Sequence, residues 1–208
     1  VTLMHSYRST YSVGSFNSNV NFKDPDGDGF SWVRDQTGNY ISQYEIGIVS
    51  LNEQFAPLLN LDLKWKQGMT NRVEFKKSRN LSLGLSNHQL TEITSNEFII
   101  GFGYIFRELP ISIRSGGSTR TFRSDLNIKI DFSVRNNKTI LRKVNEQYDQ
   151  ISAGQKVYTI NASADYQLNE RFTLRLFFDR IMNKPYISSQ YPNSTTNAGI
   201  SVRFSLAQ

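Results

Sequence analysis

The chain has 208 residues, enough for one domain, and its 24 basic and 18 acidic residues leave a net charge of +6. The basic residues stand singly rather than in the stripe of a nucleic-acid binder, and the absence of cysteine removes thiol catalysis and cysteine-bound metals. No apolar run approaches the roughly 20 residues of a membrane helix, yet a polar mean hydropathy of −0.45 is also what a membrane β-barrel gives, because lumen and loop residues dilute its lipid face.

Val1–Val13 reads as a first strand with weak alternation, followed by a long Ser/Asn/Asp/Gly loop over Gly14–Asn39. Tyr40–Asn52 is expected to be a second strand, Asn52–Pro57 a turn and Pro57–Gln67 a third strand. In that third strand Leu59, Leu61, Leu63 and Trp65 alternate with Asn60, Asp62, Lys64 and Lys66. A tight turn begins at Gln67-Gly68, and Thr70–Ser86 is unusually long for one strand. Lys77 and Arg79 there share parity with Val73, Phe75 and Leu81, so the strand either projects beyond an apolar surface or contains a bulge. In Phe98–Phe106 the residues Phe98, Ile100, Phe102, Tyr104 and Phe106 line one face, while Gly101 and Gly103 on the other allow close approach. Pro110–Arg120 reads as a connection.

The remaining runs are the clearest. Leu126, Ile128, Ile130, Phe132 and Val134 alternate with Lys129, Asp131 and Arg135; Tyr158–Leu168 carries Asp165 on its polar face. Phe172, Leu174, Leu176 and Phe178 alternate with Arg175 and Asp179, and Ile200, Val202, Phe204 and Leu206 alternate with Arg203. These are runs of about 9–11 residues, the length of a transmembrane β-strand. A soluble β-sandwich with one wet face is the competing architecture. Full charges on the polar face and aromatic ends on the apolar face favour an all-β, antiparallel transmembrane barrel of about nine strands. Asp62, Lys64, Lys66, Lys129, Asp131, Arg135, Asp165, Arg175, Asp179 and Arg203 are then lumen-facing. Leu59, Leu61, Leu63, Trp65, Phe98, Ile100, Phe102, Tyr104, Leu126, Ile128, Ile130, Phe132, Phe172, Leu174, Leu176, Ile200, Val202 and Phe204 are then lipid-facing, in an outer membrane.

An odd strand count, a start in mid-strand and no signal peptide at Val1 together suggest the C-terminal part of a larger barrel. With the chain end on the periplasmic side, Gln167–Arg171 is a short periplasmic turn and Asn136–Gln155 and Met182–Thr196 are long extracellular loops. Gly14–Asn39 breaks this asymmetry, being long yet periplasmic on the same count.

Two local patterns bear on chemistry. Asp24-Pro25-Asp26-Gly27-Asp28-Gly29 with Asp35 has the oxygen spacing of an EF-hand-like calcium loop, with oxygens at positions 1, 3, 5 and 12 and Gly at 6. Position 12 is Asp35 rather than Glu, Trp32 at position 9 cannot ligate, and an acidic glycine-rich turn is the alternative. His88, beside Glu92, is the one candidate for His-dependent hydrolysis, and no Gly-x-Ser-x-Gly elbow accompanies it. A solvated loop histidine accounts for it far better, so no catalytic site is expected.

Longer runs carry a resemblance. Phe75-Lys76-Lys77-Ser78-Arg79-Asn80-Leu81-Ser82-Leu83, Asn87-His88-Gln89-Leu90-Thr91-Glu92, Asn96-Glu97-Phe98 and Gly101-Phe102-Gly103-Tyr104 resemble the C-terminal region of the SprA/Sov family. Asp131–Thr139, Ala153-Gly154-Gln155, Ala164-Asp165-Tyr166, Arg171–Arg180 and Ser201–Gln208 are similar to the same family, so the likeness runs from about Tyr40 to the end. The resemblance implies the outer-membrane translocon of the type IX secretion system, a single-chain barrel of the 36-strand class. It implies folded cargo with a C-terminal signal domain, a lateral opening to which a small PorV-like barrel binds, and a plug protein at the periplasmic end. The chain would form the last quarter of the wall. Gln208 departs from the usual aromatic terminus, leaving Phe204 as the nearest assembly signal. A passive outer-membrane pore or receptor is the alternative.

Overall fold

The computed structural model describes residues 1–115, 118–144, 146, 148–169, 172–188 and 190–204. Among the described residues nine strands form one antiparallel sheet: β1 (Thr2–Met4), β2 (Tyr7–Ser18), β3 (Tyr44–Lys64), β4 (Met69–Gly84), β5 (Gln89–Ser115), β6 (Ser118–Lys143), β7 (Tyr148–Asn169), β8 (Phe172–Pro185) and β9 (Asn193–Phe204). From β3 to β9 each strand pairs with the next in sequence, the local hairpin connectivity that alternating runs separated by turn residues favour. Among the described residues there is no helix.

The nine strands occupy eight places, because β1 and β2 both pair with β3. The cause is an irregularity in β3, where the register against β4 shifts between Phe55 and Leu59. Against the other neighbour, Met4 stands opposite Asn60 and Tyr7 opposite Phe55, so the same segment divides the edge strand into β1 and β2. Pro57 has no N–H to give, and its carbonyl accepts from the Ser6 N–H at 2.8 Å. The insertion adds two residues, so side chains on both sides of it keep their faces.

This corrects the expected turn at Asn52–Pro57: β3 runs straight through it, and the expected second and third strands are one. The connection between β2 and β3 then lies at the same end as those after β4, β6 and β8, so the 14–39 loop is no exception to the long-end, short-end asymmetry. The expected loop Asn136–Gln155 is mostly strand, since β6 continues to Lys143 and β7 starts at Tyr148. The connection expected over Pro110–Arg120 is the tip of the β5–β6 hairpin, and that over Met182–Thr196 narrows to the residues between Pro185 and Asn193. Glu170 and Arg171 of the expected short turn, and Ser205–Gln208 of the expected last strand, lie outside the described residues.

β4 keeps an unbroken register with β5 from Met69 to Gly84. Lys77 and Arg79 therefore remain on the face of Val73 and Phe75 and extend beyond them, the first of the two readings their parity allowed. The sheet is one layer thick. Among the described residues only Val157 and Tyr166 are buried hydrophobic side chains, whereas a sandwich of this length would bury the inner faces of two sheets. Both edges are open: among the described residues β9 pairs only with β8, and β1 and β2 only with β3.

Candidate functional site: the two faces of the sheet

In an antiparallel sheet, directly opposed residues share a face, so the register alone sorts the side chains. Leu59, Phe75, Phe98, Val134 and Tyr158 form one row across β3–β7, and Leu61, Val73, Ile100, Phe132 and Ile160 the next. Leu63 and Asn71 continue into Phe102, Ile130, Ala162, Phe178 and Ala198. Met69, Tyr104, Ile128, Ala164, Leu176 and Ile200 follow, then Phe106, Leu126, Tyr166, Leu174 and Val202. Phe172 and Phe204 close the series with their ring centroids 4.8 Å apart. Every residue expected to face lipid that lies in a strand falls on this one face. Trp65 comes one residue past the end of β3. The face is uncovered: Ile100, Ile130 and Leu176 are 44%, 44% and 47% exposed.

The apolar surface has two defined boundaries, and both are oblique. On β4 it starts at Phe75, whose row reaches Ser194 on β9, yet on β9 it starts four residues lower, at Ala198. On β4 it ends at Met69, whose row reaches Ile200, yet on β9 it ends four residues lower, at Phe204. Four residues are about 13 Å along a strand, and five strand spacings are about 24 Å. The band therefore crosses the hydrogen-bonding direction at about 30°, close to the roughly 35–45° by which barrel strands tilt from the membrane normal. Its height along β5, from Phe98 to Phe106, is about 27 Å before tilt and close to 20–25 Å after it, the thickness of an outer-membrane apolar band.

The opposite face is polar with mixed charge. Asp62, Arg72, Gly101, Asp131, Asn161 and Asp179 make one row, and Lys64, Thr70, Gly103, Lys129 and Ser163 another. Arg135 stands beside Glu97, Arg203 beside Thr173, and Arg175 reaches Asp165 at 3.6 Å. Lys66 is the exception among the expected lumen residues: it lies in the β3–β4 turn, not on a strand face, because the chain reverses at Gly68 (φ 83°). The space left by the two β5 glycines is taken by neighbours: a Cβ on Gly101 would meet Asp131 Oδ1 at 2.5 Å, and one on Gly103 would collide with the Thr70 hydroxyl.

Sequence reasoning missed the cluster at the β3–β4 contact on this face. Glu74 is buried and is held by Arg72 and by Lys76, the latter at 3.4 Å. Asn60 beside it is buried, donating from Nδ2 to Asp62 Oδ2 at 2.8 Å. The signal was the alternation Arg72-x-Glu74-x-Lys76, which places one acid between two bases on a single strand face.

The 19–43 loop brings together part of the calcium pattern. Carboxylate oxygens of Asp24, Asp26 and Asp28 lie within 4.8 Å of one another. Asp35 does not join them. Its carboxylate accepts from the Thr37 hydroxyl and from the Thr37 and Asn39 N–H groups at 2.8–2.9 Å, fastening a turn of its own. These bonds, led by the Thr37 hydroxyl, hold the Asp35 carboxyl below the usual carboxylate range. Asp24 is engaged too, accepting from the N–H groups of Gly27, Asp28 and Gly29, while Asp28 Oδ1 accepts from Phe30 N–H and Asp26 Oδ2 from Trp32 Nε1. A calcium ion would find three carboxylates rather than four, each already bonded within the loop. Asp24→Ala is expected to speed amide exchange at Gly27, Asp28 and Gly29 while leaving the strands unchanged, read by exchange mass spectrometry. Because the Asp35 carboxyl is depressed in the folded loop, its contribution is present above the ordinary carboxylate range near 3.9 and is lost as pH falls through the lower folded value.

His88 sits in the β4–β5 turn at φ 52°. Glu92, its expected acidic partner, instead pairs with Arg142 at 2.5 Å. No family model matches the chain, and no curated protein matches it.

Proposed function

We propose that this chain is a stretch of the wall of a large antiparallel β-barrel in the outer membrane, its apolar face against lipid and its polar face lining a conduit. We further propose, on the resemblance of the runs around Phe75–Leu83, Asp131–Thr139 and Arg171–Arg180 to the SprA/Sov family, that the conduit is the protein-conducting translocon of the type IX secretion system. The observation that carries the first step is the oblique apolar band on a single-layer sheet with two open edges. One layer leaves both faces to be solvated, the band asks for lipid, and the edges ask for further strands. For the second step, the mixed charge of the polar face suits a wet, weakly binding passage for folded polypeptide, since neither sign dominates to trap it.

The partners follow from that reading: the remaining strands of the barrel, a small PorV-like barrel at a lateral opening, a plug protein, and cargo with a C-terminal signal domain. The wall holds and shapes the passage and carries no catalysis. The end bearing the 19–43 loop faces the cell exterior. Deleting the β8–β9 hairpin from the full-length protein is expected to leave C-terminal-signal cargo in the periplasm, measured by surface proteolysis and fractionation. Continued surface delivery of cargo by a stably inserted deletion protein would overturn the translocon reading. Loss of small-solute flux with no change in cargo would favour the passive pore.

A further inference from the structure

Above the apolar band on the same face the sheet turns cationic, directly past the band on β4–β7 and, on β8, where the band starts lower at Phe178, past Arg180 and Met182. Lys77 on β4 is in register with Asn96, Asn136, Lys156 and Lys184 on the next four strands. One row higher come Arg79, Thr94 and Lys138. No carboxylate occurs in these two rows from β4 to β8, and among the described residues no acid pairs with Lys77, Lys138, Lys156 or Lys184. On β3 the second row reaches Glu53, which pairs with Arg79 at 2.8 Å, so the cations without an acid partner are Lys138 and the three lysines of the first row; the polar face at the same height carries Lys76, Glu97 and Arg135 together.

The lysines are also placed by aromatic rings that mark the edge of the band. The Lys156 and Lys184 ammonium groups lie 5.4 and 5.6 Å from the centroid of Tyr158, the topmost ring of the band on β7. Lys138 lies 5.1 Å from Tyr186, whose hydroxyl donates to Asn136 Oδ1 at 2.7 Å. A cation over a ring keeps part of its stem on apolar surface and its charge at the rim. Tyr and Lys at the edge of a lipid-facing band are the residues that sit at headgroup depth.

We propose that this strip, centred on Lys77, Lys156 and Lys184, binds the phosphate groups of lipid headgroups in the leaflet at the end of the sheet bearing the 19–43 loop. The inference rests on the membrane-wall reading and deepens it: the band says that lipid is present, and the strip says which headgroup chemistry it selects. Three ammonium groups within one row neutralise phosphates that would otherwise repel one another, while Asn96 and Asn136 between them supply amide N–H donors for phosphate oxygens. A zwitterionic headgroup brings its own ammonium group and gains less.

The test uses the full-length protein reconstituted in vesicles of phosphatidylcholine with one-fifth phosphatidylglycerol, followed by native mass spectrometry of the lipids it retains. Wild-type protein is expected to retain phosphatidylglycerol in preference to phosphatidylcholine. The triple variant Lys77→Gln, Lys156→Gln, Lys184→Gln is expected to lose that preference by at least about tenfold. Lys129→Gln on the polar face is expected to leave it intact, and excess inorganic phosphate to leave the retained lipid in place. Equal retention of the two lipids by wild-type protein, an unchanged triple variant, an equal loss with Lys129→Gln, or displacement by inorganic phosphate would each overturn the proposal. Flotation of the same samples separates this failure from the other: protein that does not float with vesicles sinks the membrane reading itself.

Discussion

Ile130→Arg is expected, if the chain is the membrane wall proposed above, to destabilise the vesicle-reconstituted protein by about 2–4 kcal/mol, the cost of an arginine at mid-depth on the lipid side of a barrel. Ile130 lies in the third row of the band, opposite Phe102 and Ala162, with apolar rows above and below it. Ser133→Arg, three residues along β6 and on the polar face opposite Ile99, is expected to change stability by no more than about 0.5 kcal/mol. Urea unfolding in phosphatidylcholine vesicles measures both. In a water-soluble sheet the ranking disappears, because an arginine replacing a half-exposed isoleucine would meet solvent. Equal, small effects at the two positions would therefore remove the assignment of the faces.

Gly154→Val is expected to cost on the order of 3 kcal/mol, or to prevent assembly. Gly154 has φ +153°, and a Cβ built there meets the Asn137 carbonyl oxygen at 2.6 Å and the Lys138 Cα at 3.1 Å. Both are backbone of the paired strand and cannot turn away. The third neighbour, at 3.1 Å, is the ring of Tyr186, which lies over the glycine while the Tyr186 N–H donates to the Gly154 carbonyl at 3.0 Å. The position follows directly on the place where the β6–β7 register shifts, between Thr139 and Ile140, so local twist is already committed there. Ala153→Val, one residue away and exposed, is expected to be close to neutral. Equal tolerance at 153 and 154 would show that the ring and the glycine do not lock the hairpin.

The faces of the sheet were legible in the sequence and its boundaries were not, for one physical reason. Period two is visible only where the two faces meet different surroundings. Between Leu126 and Val134 one face is apolar and the other charged, and the reading matched the register residue by residue. Beyond the band, over Asn136–Lys143 and Tyr148–Gln155, both faces are largely polar, the alternation fades, and the pattern of a strand looks like that of a loop. Ala56-Pro57 misled in the opposite way. Proline is strong turn punctuation, and only the preserved parity between Phe55 and Leu59 distinguishes an insertion within one strand from a reversal. The spacing of Asp24, Asp26, Asp28 and Asp35 is visible in the sequence alone. What it lacked was the competing claim on Asp35 by Thr37 and Asn39, polar donors two and four residues on that close an Asx turn. The buried Glu74 was invisible because burial here comes from flanking long side chains rather than from a core, and no hydrophobic pattern announces it.

The last strand has a bearing on how such a protein is made. Along the 12 residues of β9, every second residue points its N–H and C=O away from β8, toward no described partner. In water those groups are hydrated at no loss, but in hydrocarbon each orphan costs several kcal/mol. On the membrane reading, the Asn193–Phe204 seam therefore cannot enter the bilayer bare. It must be zipped to another strand, or handed over by an insertion factor that offers its own strand as a temporary mate, before lipid closes around it.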